Sequence, residues 1–320
     1  MKKRNRSARN FGLRNRCIIR AGCNALKDEG ASFVTQAVNS SRWRQFCNYI
    51  KIEHNILDMR EIRRTHVELY ALYLKTQQEL GQLSTSTAHD YLAAVNRILE
   101  IARGDRELRV AAVSDAGFKR RRNIAEKSKA TSEAAHDYAC SRMSPHLSAI
   151  LQLQRALGLR FEESLKIHPT RALGQALGSG RIQITAGTKG GRPREIPIIS
   201  NDQINAVKNA IQYQGQRRSL IPDQLNYAQF KRWCYSELKT LGITFHGERH
   251  AYANSRYQML TGVKSPVDRG KSGREHIAEL ANCREVTLDE ANNLDLEARL
   301  KIAEELGHSR TQITNNYLGK

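Results

Sequence analysis

Four separated segments of the 320-residue chain place polar side chains where they could reach a phosphate. The first is Gly158-Leu159-Arg160-Phe161-Glu162-Glu163, where an arginine opens a helical turn and a carboxylate three residues on shares its face and can hold the guanidinium. The second is Lys189 in Gly187-Thr188-Lys189-Gly190-Gly191, an amine in a glycine turn. The third is His246-Gly247-Glu248-Arg249-His250, whose i and i+3 positions bring His246 and Arg249 to one side of a helix start. The fourth is Leu306-Gly307-His308-Ser309, with Tyr317 nine residues beyond the histidine. Ser309 with Gln312 fits a capping box and predicts a short helix between that histidine and the tyrosine. Alone, each segment is common: a turn lysine is usually solvated, and His-x-x-Arg recurs by chance. Their order and internal spacings together are specific.

These groups need elements to hold them. Short β-prone runs at 181–185 and 194–199 flank the glycine turn, whose residues tolerate positive φ, so a hairpin is expected with Lys189 at its tip. Apolar periodicity predicts helices over 202–213, 227–241, 246–260 and 288–306. Upstream, from about 25 to 109, the pattern is helical throughout. Phe33, Val34 and Val38 precede Trp43, Phe46, Tyr49 and Ile50, and Val67, Leu69, Tyr70, Leu72, Tyr73 and Leu74 follow. Ser84 or Thr85 caps a helix carrying Tyr91, Leu92, Val95, Ile98, Leu99 and Ile101, which Gly104 ends. These stripes read as the core of a small bundle. The fold class is therefore mainly α with a small antiparallel sheet. The expected organisation is a basic flexible arm over 1–22, a helical domain over 23–112, a basic linker over 113–143, and a second domain over 144–320. An acidic-mixed stretch around 263–295 within that second domain reads as an insertion, a solvated elaboration with one extra helix.

Charge narrows the partners. Lys plus Arg number 52 against 32 Asp plus Glu, so 52 − 32 = +20, a surplus that calls for a polyanion. Lys2, Lys3 and Arg4 begin the arm, and Lys119, Arg120, Arg121 and Arg122 form the densest cluster of the linker; both suit a phosphate backbone. Charge alone does not separate DNA from RNA or from an anionic membrane surface. No apolar run approaches the roughly 18 to 20 residues of a membrane helix, and the apolar start Cys17-Ile18-Ile19 is cut by Arg20, which argues against membrane spanning and a secretory signal. Six scattered cysteines without a CxxC pair argue against a disulfide framework or zinc module and read as buried thiols in a reducing cytoplasm.

In their order and spacings the four segments resemble the signature of the tyrosine recombinase (phage integrase-like) family: Arg, Lys, His-x-x-Arg, His or Trp, and Tyr. The resemblance covers roughly 145–320 at motif level, and the helical N-terminal half looks like that family's core-binding domain. It implies a site-specific DNA recombinase in which Tyr317 attacks a phosphodiester to form a 3′-phosphotyrosyl link and free a 5′-hydroxyl, with no ATP and no metal or other cofactor. A phenol of pKa near 10 attacks poorly until a neighbour takes its proton, and the leaving alkoxide needs one supplied. The base-like role falls to His246 and that of general acid to Lys189. Arg160 and Arg249 clamp the non-bridging oxygens, His308 adds a hydrogen bond, and Glu163 orients the Arg160 end of the site. The implied partners are duplex DNA, further copies of the chain as a tetramer on paired sites, and accessory DNA-bending factors, with no membrane; the implied location is the cytoplasm, at the nucleoid.

Two departures stand out. Glu248 occupies a position where the family more often has an apolar residue, and it could compete for Arg249 or point to solvent. The spacing from His250 to His308 is longer than usual. Glu248 is the one feature favouring a catalytically silent DNA-binding accessory protein of the same fold. A type IB topoisomerase-like enzyme shares the chemistry without joining two sites. His250, Tyr252 and Tyr257 read as packing or capping groups, and His168 has no evident partner.

Overall fold

Trp43, Phe46 and Ile50 recur at helical spacing and are fully buried, which fixes the inward face of the second helix of the first unit. In the computed structural model, which describes residues 4–271 and 273–320, this unit spans Met1–Arg122 and a second spans Asn123–Lys320. The first contains α1 (Ile18–Asp28), α2 (Phe33–His54), α3 (Arg64–Glu79) and α4 (Thr85–Arg103). Ser32 and Ser84 cap α2 and α4 by accepting from the Thr35 and Thr87 amides, and Gly104 ends α4 in the left-handed region at φ 79°. Val67, Tyr70 and Leu74 of α3 and Leu92, Val95, Ile98 and Leu99 of α4 complete the core, where each large side chain removed from water contributes about 1.5–3 kcal/mol.

Three expectations for this region are corrected. Not every apolar residue of the pattern is core: Phe33 is 89% exposed, and Val34, Val38, Leu69, Leu72 and Tyr73 are also exposed, because the positions at i, i+3 and i+4 from Trp43 and Val67 take the buried face. The arm over 1–22 is not free over its described part. Phe11 and Leu13 are buried in the core, and α1 begins at Ile18. Asn10, also buried, receives from the Met59 amide and donates to the carbonyls of Asn15 and Arg16, while its own amide donates to Asp58. The linker over 113–143 is divided between the units: Phe118 belongs to the first core, whereas α5 (Glu133–Arg142) belongs to the second unit and packs against α6 (Pro145–Leu157).

The second unit continues with α7 (Phe161–Lys166), α8 (Pro169–Ser179), the hairpin β1 (Arg181–Ile184) and β2 (Arg194–Pro197), α9 (Asn201–Ile211) and α10 (Tyr227–Leu238). It then adds α11 (Phe245–Thr261), α12 (Pro266–Arg269), α13 (Gly273–Arg284), α14 (Leu288–Glu305) and α15 (Asn315–Leu318). The strands are antiparallel with Arg181 opposite Pro197 and Ile184 opposite Arg194, as the alternating pattern predicts. Leu147, Ile150, Leu151, Ile182, Ile196 and Val207 centre one core, and Tyr252, Tyr257, Leu280, Ile302 and Leu318 centre another. The 263–295 stretch is no solvated elaboration. It supplies Val263, Leu280, Ala281 and Ala291 to the core that also holds Tyr317. His168 finds a partner after all, accepting from the Arg171 amide as the N-cap of α8. Among the described residues, no helix is long and apolar enough to cross a membrane.

Candidate active site

Arg160 is the N-cap residue of α7, and its backbone geometry there is what the turn requires of it. Glu163, fully buried, closes the capping box: it accepts from the Arg160 amide at 2.7 Å and from Arg160 Nη1 at 2.8 Å, as the spacing predicts. The side chain of Arg160 keeps 23% exposure. A second arginine grips the same carboxylate. Arg194 on β2 donates from Nη1 and Nη2 to the two oxygens of Glu163 at 2.6 and 2.8 Å, and from Nε to the Glu305 carbonyl at 2.7 Å. Burial raises the pKa of Glu163, but the Arg194 hydrogen bonds outweigh it and hold the carboxyl below the usual glutamate range. Glu305 is itself fixed by Tyr252 Oη at 2.8 Å and by a fork from Arg256.

The sequence reading missed Arg194, although a signal was present. Strand alternation puts Arg194 on the same face as Ile196, and an arginine on the apolar face of a strand must have a buried partner. Gly307, at φ 67°, lets this side chain pass: a Cβ there would lie 2.9 Å from Arg194 Cδ.

The third segment opens α11, with the Thr244 hydroxyl accepting from the Gly247 amide as its cap. Arg249 is fully buried. It donates from Nη1 to the Gly158 carbonyl, from Nη2 to the Leu306 carbonyl and from Nε to Tyr317 Oη at 3.3 Å, and its Nη1 lies 3.9 Å from Glu163. Burial lowers its pKa to about 10, which leaves it charged at neutral pH. Three guanidiniums thus face one carboxylate, an excess of 3 − 1 = +2 in a largely buried site. Such an excess attracts an anion.

Tyr317 sits on α15 and is 5% exposed. The segment is anchored by Arg299, which donates to Asn315 Oδ1 at 2.9 Å and to the Gly319 carbonyl at 3.0 Å, and by Leu318 in the core. Three imidazoles ring the phenol: the His250 centroid lies 4.6 Å from that of Tyr317, and those of His246 and His308 each 5.7 Å. All three are pushed toward the neutral form, chiefly by burial within the fold and then by neighbouring positive charge; His250 and His308 fall to about 3. His246 nonetheless remains exposed to solvent, whereas His250 is buried. His308 Nε2 lies 3.4 Å from Arg249 Nη2. The expected Ser309 cap is absent; a single tight turn at Thr311–Thr314 leads into α15.

Lys189 lies at the hairpin tip, exposed, with no hydrogen-bond partner among the described residues. The other catalytic candidates converge and this one does not touch them. Its hairpin is nevertheless seated on the site. Gly187, at φ 74°, lies so close to α7 that a Cβ would be 2.8 Å from the Glu162 carbonyl, so the turn is fixed beside Arg160. Glu248 neither competes for Arg249 nor reaches solvent. Its buried carboxylate turns toward α5 and α6, 2.9 Å from His136 Nδ1 and 3.1 Å from Arg155 Nη1.

The basic residues expected to bind nucleic acid fare unevenly. Lys2 and Lys3 lie outside the described residues. Arg4 is paired with Asp28 at 2.8 Å and is largely covered, and Arg121 donates to Asp90 at 2.6 Å. Lys119, Arg120 and Arg122 are exposed. Arg120 and Arg121 line a cavity of about 910 Å³ with Arg97, Arg106 and Arg109 in the first unit. No group of three or more His, Cys, Asp or Glu among the described residues could hold a metal ion.

Residues 109–260 match the family model described as Integrase. A lambda integrase dimer bound to a COC′ core site is 15% identical, over 83% of this chain and 76% of that one, with a TM-score of 0.49. The XerH site-specific recombinase in its pre-cleavage complex is 15% identical over 92% and 78%, with a TM-score of 0.49. The integrase from mycobacterium phage Brujita is 15% identical over 95% and 98%, with a TM-score of 0.33. No curated protein matches the sequence.

Proposed function

We propose that the chain, whose residues 109–260 match the Integrase family model, is a site-specific recombinase of the tyrosine recombinase type acting on duplex DNA through a covalent 3′-phosphotyrosyl intermediate. One observation carries the proposal: the hydroxyl of Tyr317 is hydrogen-bonded to Arg249, in a site where Arg160, Arg194 and Arg249 together exceed the charge of Glu163 by two. An arginine cluster with spare positive charge suits a phosphodiester that gains negative charge in its transition state.

In this reading Tyr317 Oη attacks phosphorus, its proton passes to the neutral imidazole of His246, and the bond to the 5′-oxygen breaks. Lys189 protonates that oxygen once the hairpin tip meets the backbone. Arg160 and Arg249 hold the non-bridging oxygens, and His308, neutral at physiological pH, contributes a hydrogen bond. Glu163 and Arg194 are positioning residues, since they fix the two clamps rather than touch the phosphate. Attack by the 5′-hydroxyl of another strand reverses the step and makes the outcome strand exchange. Lys119, Arg120 and Arg122, with the arginine-lined cavity of the first unit, supply backbone contacts. A tetramer on paired sites, working in the cytoplasm at the nucleoid with DNA-bending accessory factors, completes the proposal.

The feature that favoured a silent DNA-binding protein loses its weight, because Glu248 is engaged by His136 and Arg155. The test is incubation with nicked suicide duplexes bearing the end sequences of the element that encodes the chain, followed by denaturing electrophoresis. A protein band covalently linked to DNA supports the reading. Binding without any such band, on duplexes the protein demonstrably retains, would overturn it.

A further inference from the structure

Only two of the six cysteines, Cys47 and Cys234, are buried; Cys17 and Cys283 are exposed, and Cys23 and Cys140 are half-buried, so the expectation of buried thiols holds for a minority. Cys140 differs from the rest in its neighbours. It lies one helical turn after His136 on α5, and its Sγ is 3.5 Å from His136 Nε2. The other ring nitrogen, Nδ1, is 2.9 Å from Glu248 Oε2, a carboxylate with no solvent exposure. Among the described residues no other thiol makes a hydrogen bond to an imidazole. The three groups thus stand in the order thiol, imidazole, buried carboxylate, an order in which a carboxylate close to the ring favours an imidazolium beside the sulfur.

The surroundings fit this reading. Arg155 of α6 shares Glu248 Oε2 at 3.1 Å, while Glu248 Oε1 and His136 Nδ1 are both buried without a hydrogen-bond partner among the described residues, so ring and carboxylate meet as a close contact rather than a hydrogen bond. His136 is held in its charged form: burial opposes it, but Cys140 and Glu248 together raise its pKa to about 9. His136 and Arg155 also line a cavity of about 520 Å³, bounded by Gln152, Gln203 and Tyr252, and Cys140 itself is half-buried. None of these three groups takes part in the proposed cleavage.

We infer that Cys140 is an activated thiol and a modification site for small peroxide oxidants, with His136 as its proton partner and Glu248 as the residue that positions the ring. The Cys140 thiolate attacks one peroxide oxygen, a sulfur–oxygen bond forms as the oxygen–oxygen bond breaks, and the departing hydroxide takes the proton of the His136 imidazolium to leave as water. Sulfur is oxidised to the sulfenic acid, the peroxide is reduced, and charge balances. A reducing thiol restores the starting state.

The full-length chain is treated at neutral pH with limiting hydrogen peroxide in the presence of dimedone, which traps sulfenic acid, and labelled cysteines are mapped by peptide mass spectrometry. Cys140 is expected to label at least about tenfold faster than the exposed Cys17 and Cys283, since the thiolate and not the thiol is the nucleophile. Equal or slower labelling of Cys140 would overturn the inference without recourse to any variant. His136→Asn is expected to slow Cys140 about tenfold while leaving Cys17 and Cys283 unchanged, and an unchanged Cys140 rate would remove His136 from its role. Cys234 serves as the internal control for folding: should it become labelled in the variant, the wild-type comparison alone decides.

Discussion

Arg249 donates from Nε to the hydroxyl of Tyr317 at 3.3 Å, joining the most deeply buried guanidinium of the second unit to the phenol nine residues beyond His308. The bond is long, so its net contribution to stability is at the lower end of about 0.5–1.5 kcal/mol. Tyr317→Phe is therefore expected to unfold in urea within about 1 kcal/mol of the parent and to bind duplex DNA equally well in a gel-shift assay, while yielding no covalent protein–DNA band. An adduct formed by the variant would assign the nucleophile to another residue.

Glu163 binds Arg160 and Arg194 and faces Arg249, so Glu163→Gln leaves buried guanidiniums without their counter-charge. Losing one partner of a buried ion pair costs about 3–5 kcal/mol. The pKa of this carboxyl is lowered in the folded state, so its stabilisation is present above the ordinary value of 4.5 and is lost as pH falls through the folded value. Urea midpoints measured from pH 7 down into the acid range should show that loss in the parent and a flatter profile in the variant.

Lys189 makes no side-chain hydrogen bond among the described residues and stands at the exposed tip of the hairpin, so Lys189→Ala should change stability by no more than about 0.5 kcal/mol. Cleavage should fall by about 10²–10⁴, the usual contribution of a positioned acid. A duplex with a 5′-thio leaving group needs no proton and should restore most of the rate; failure of this rescue would take the lysine out of the acid role.

His136 predicts a dependence on the alkaline side. Its folded-state pKa is raised to about 9 from 6.5, so its stabilisation is full below 6.5 and disappears as pH rises through 9. The titratable groups facing it are Cys140 on its own helix and Glu248 on α11, with Arg155 on α6 sharing that carboxylate. At about 1.4 kcal/mol per pKa unit, the decline is on the order of 3 kcal/mol. Denaturant midpoints between pH 6.5 and 9.5 should show it in the parent, and His136→Gln should remove most of it.

The helices of the second unit were legible because their apolar periodicity is regular: 246–260 was expected and Phe245–Thr261 is found, 288–306 was expected and Leu288–Glu305 is found. The Arg160–Glu163 pair was equally legible, since both partners lie within one helical turn. Arg194 was not, because its partner is 31 residues away and only the fold brings it near. The same holds for Glu248, whose partner His136 lies on α5, and for Asn10, whose hydrogen bonds to residues 58 and 59 turn an expected free arm into part of a core. Spacing reveals neighbours on one element; contacts between distant elements depend on packing that no local pattern encodes.

The near-complete enclosure of the Tyr317 ring makes it a latch. At 5% exposure, with its oxygen resting on Arg249, the phenol would have to swing outward to meet a duplex in the proposed reaction. On the proposed reading, a backbone phosphate competing for that guanidinium would displace the hydroxyl and liberate it in one movement, so cargo and trigger would be a single group. On that reading the free chain would idle, its apparent reactivity scaled down by the fraction in which the latch stands open.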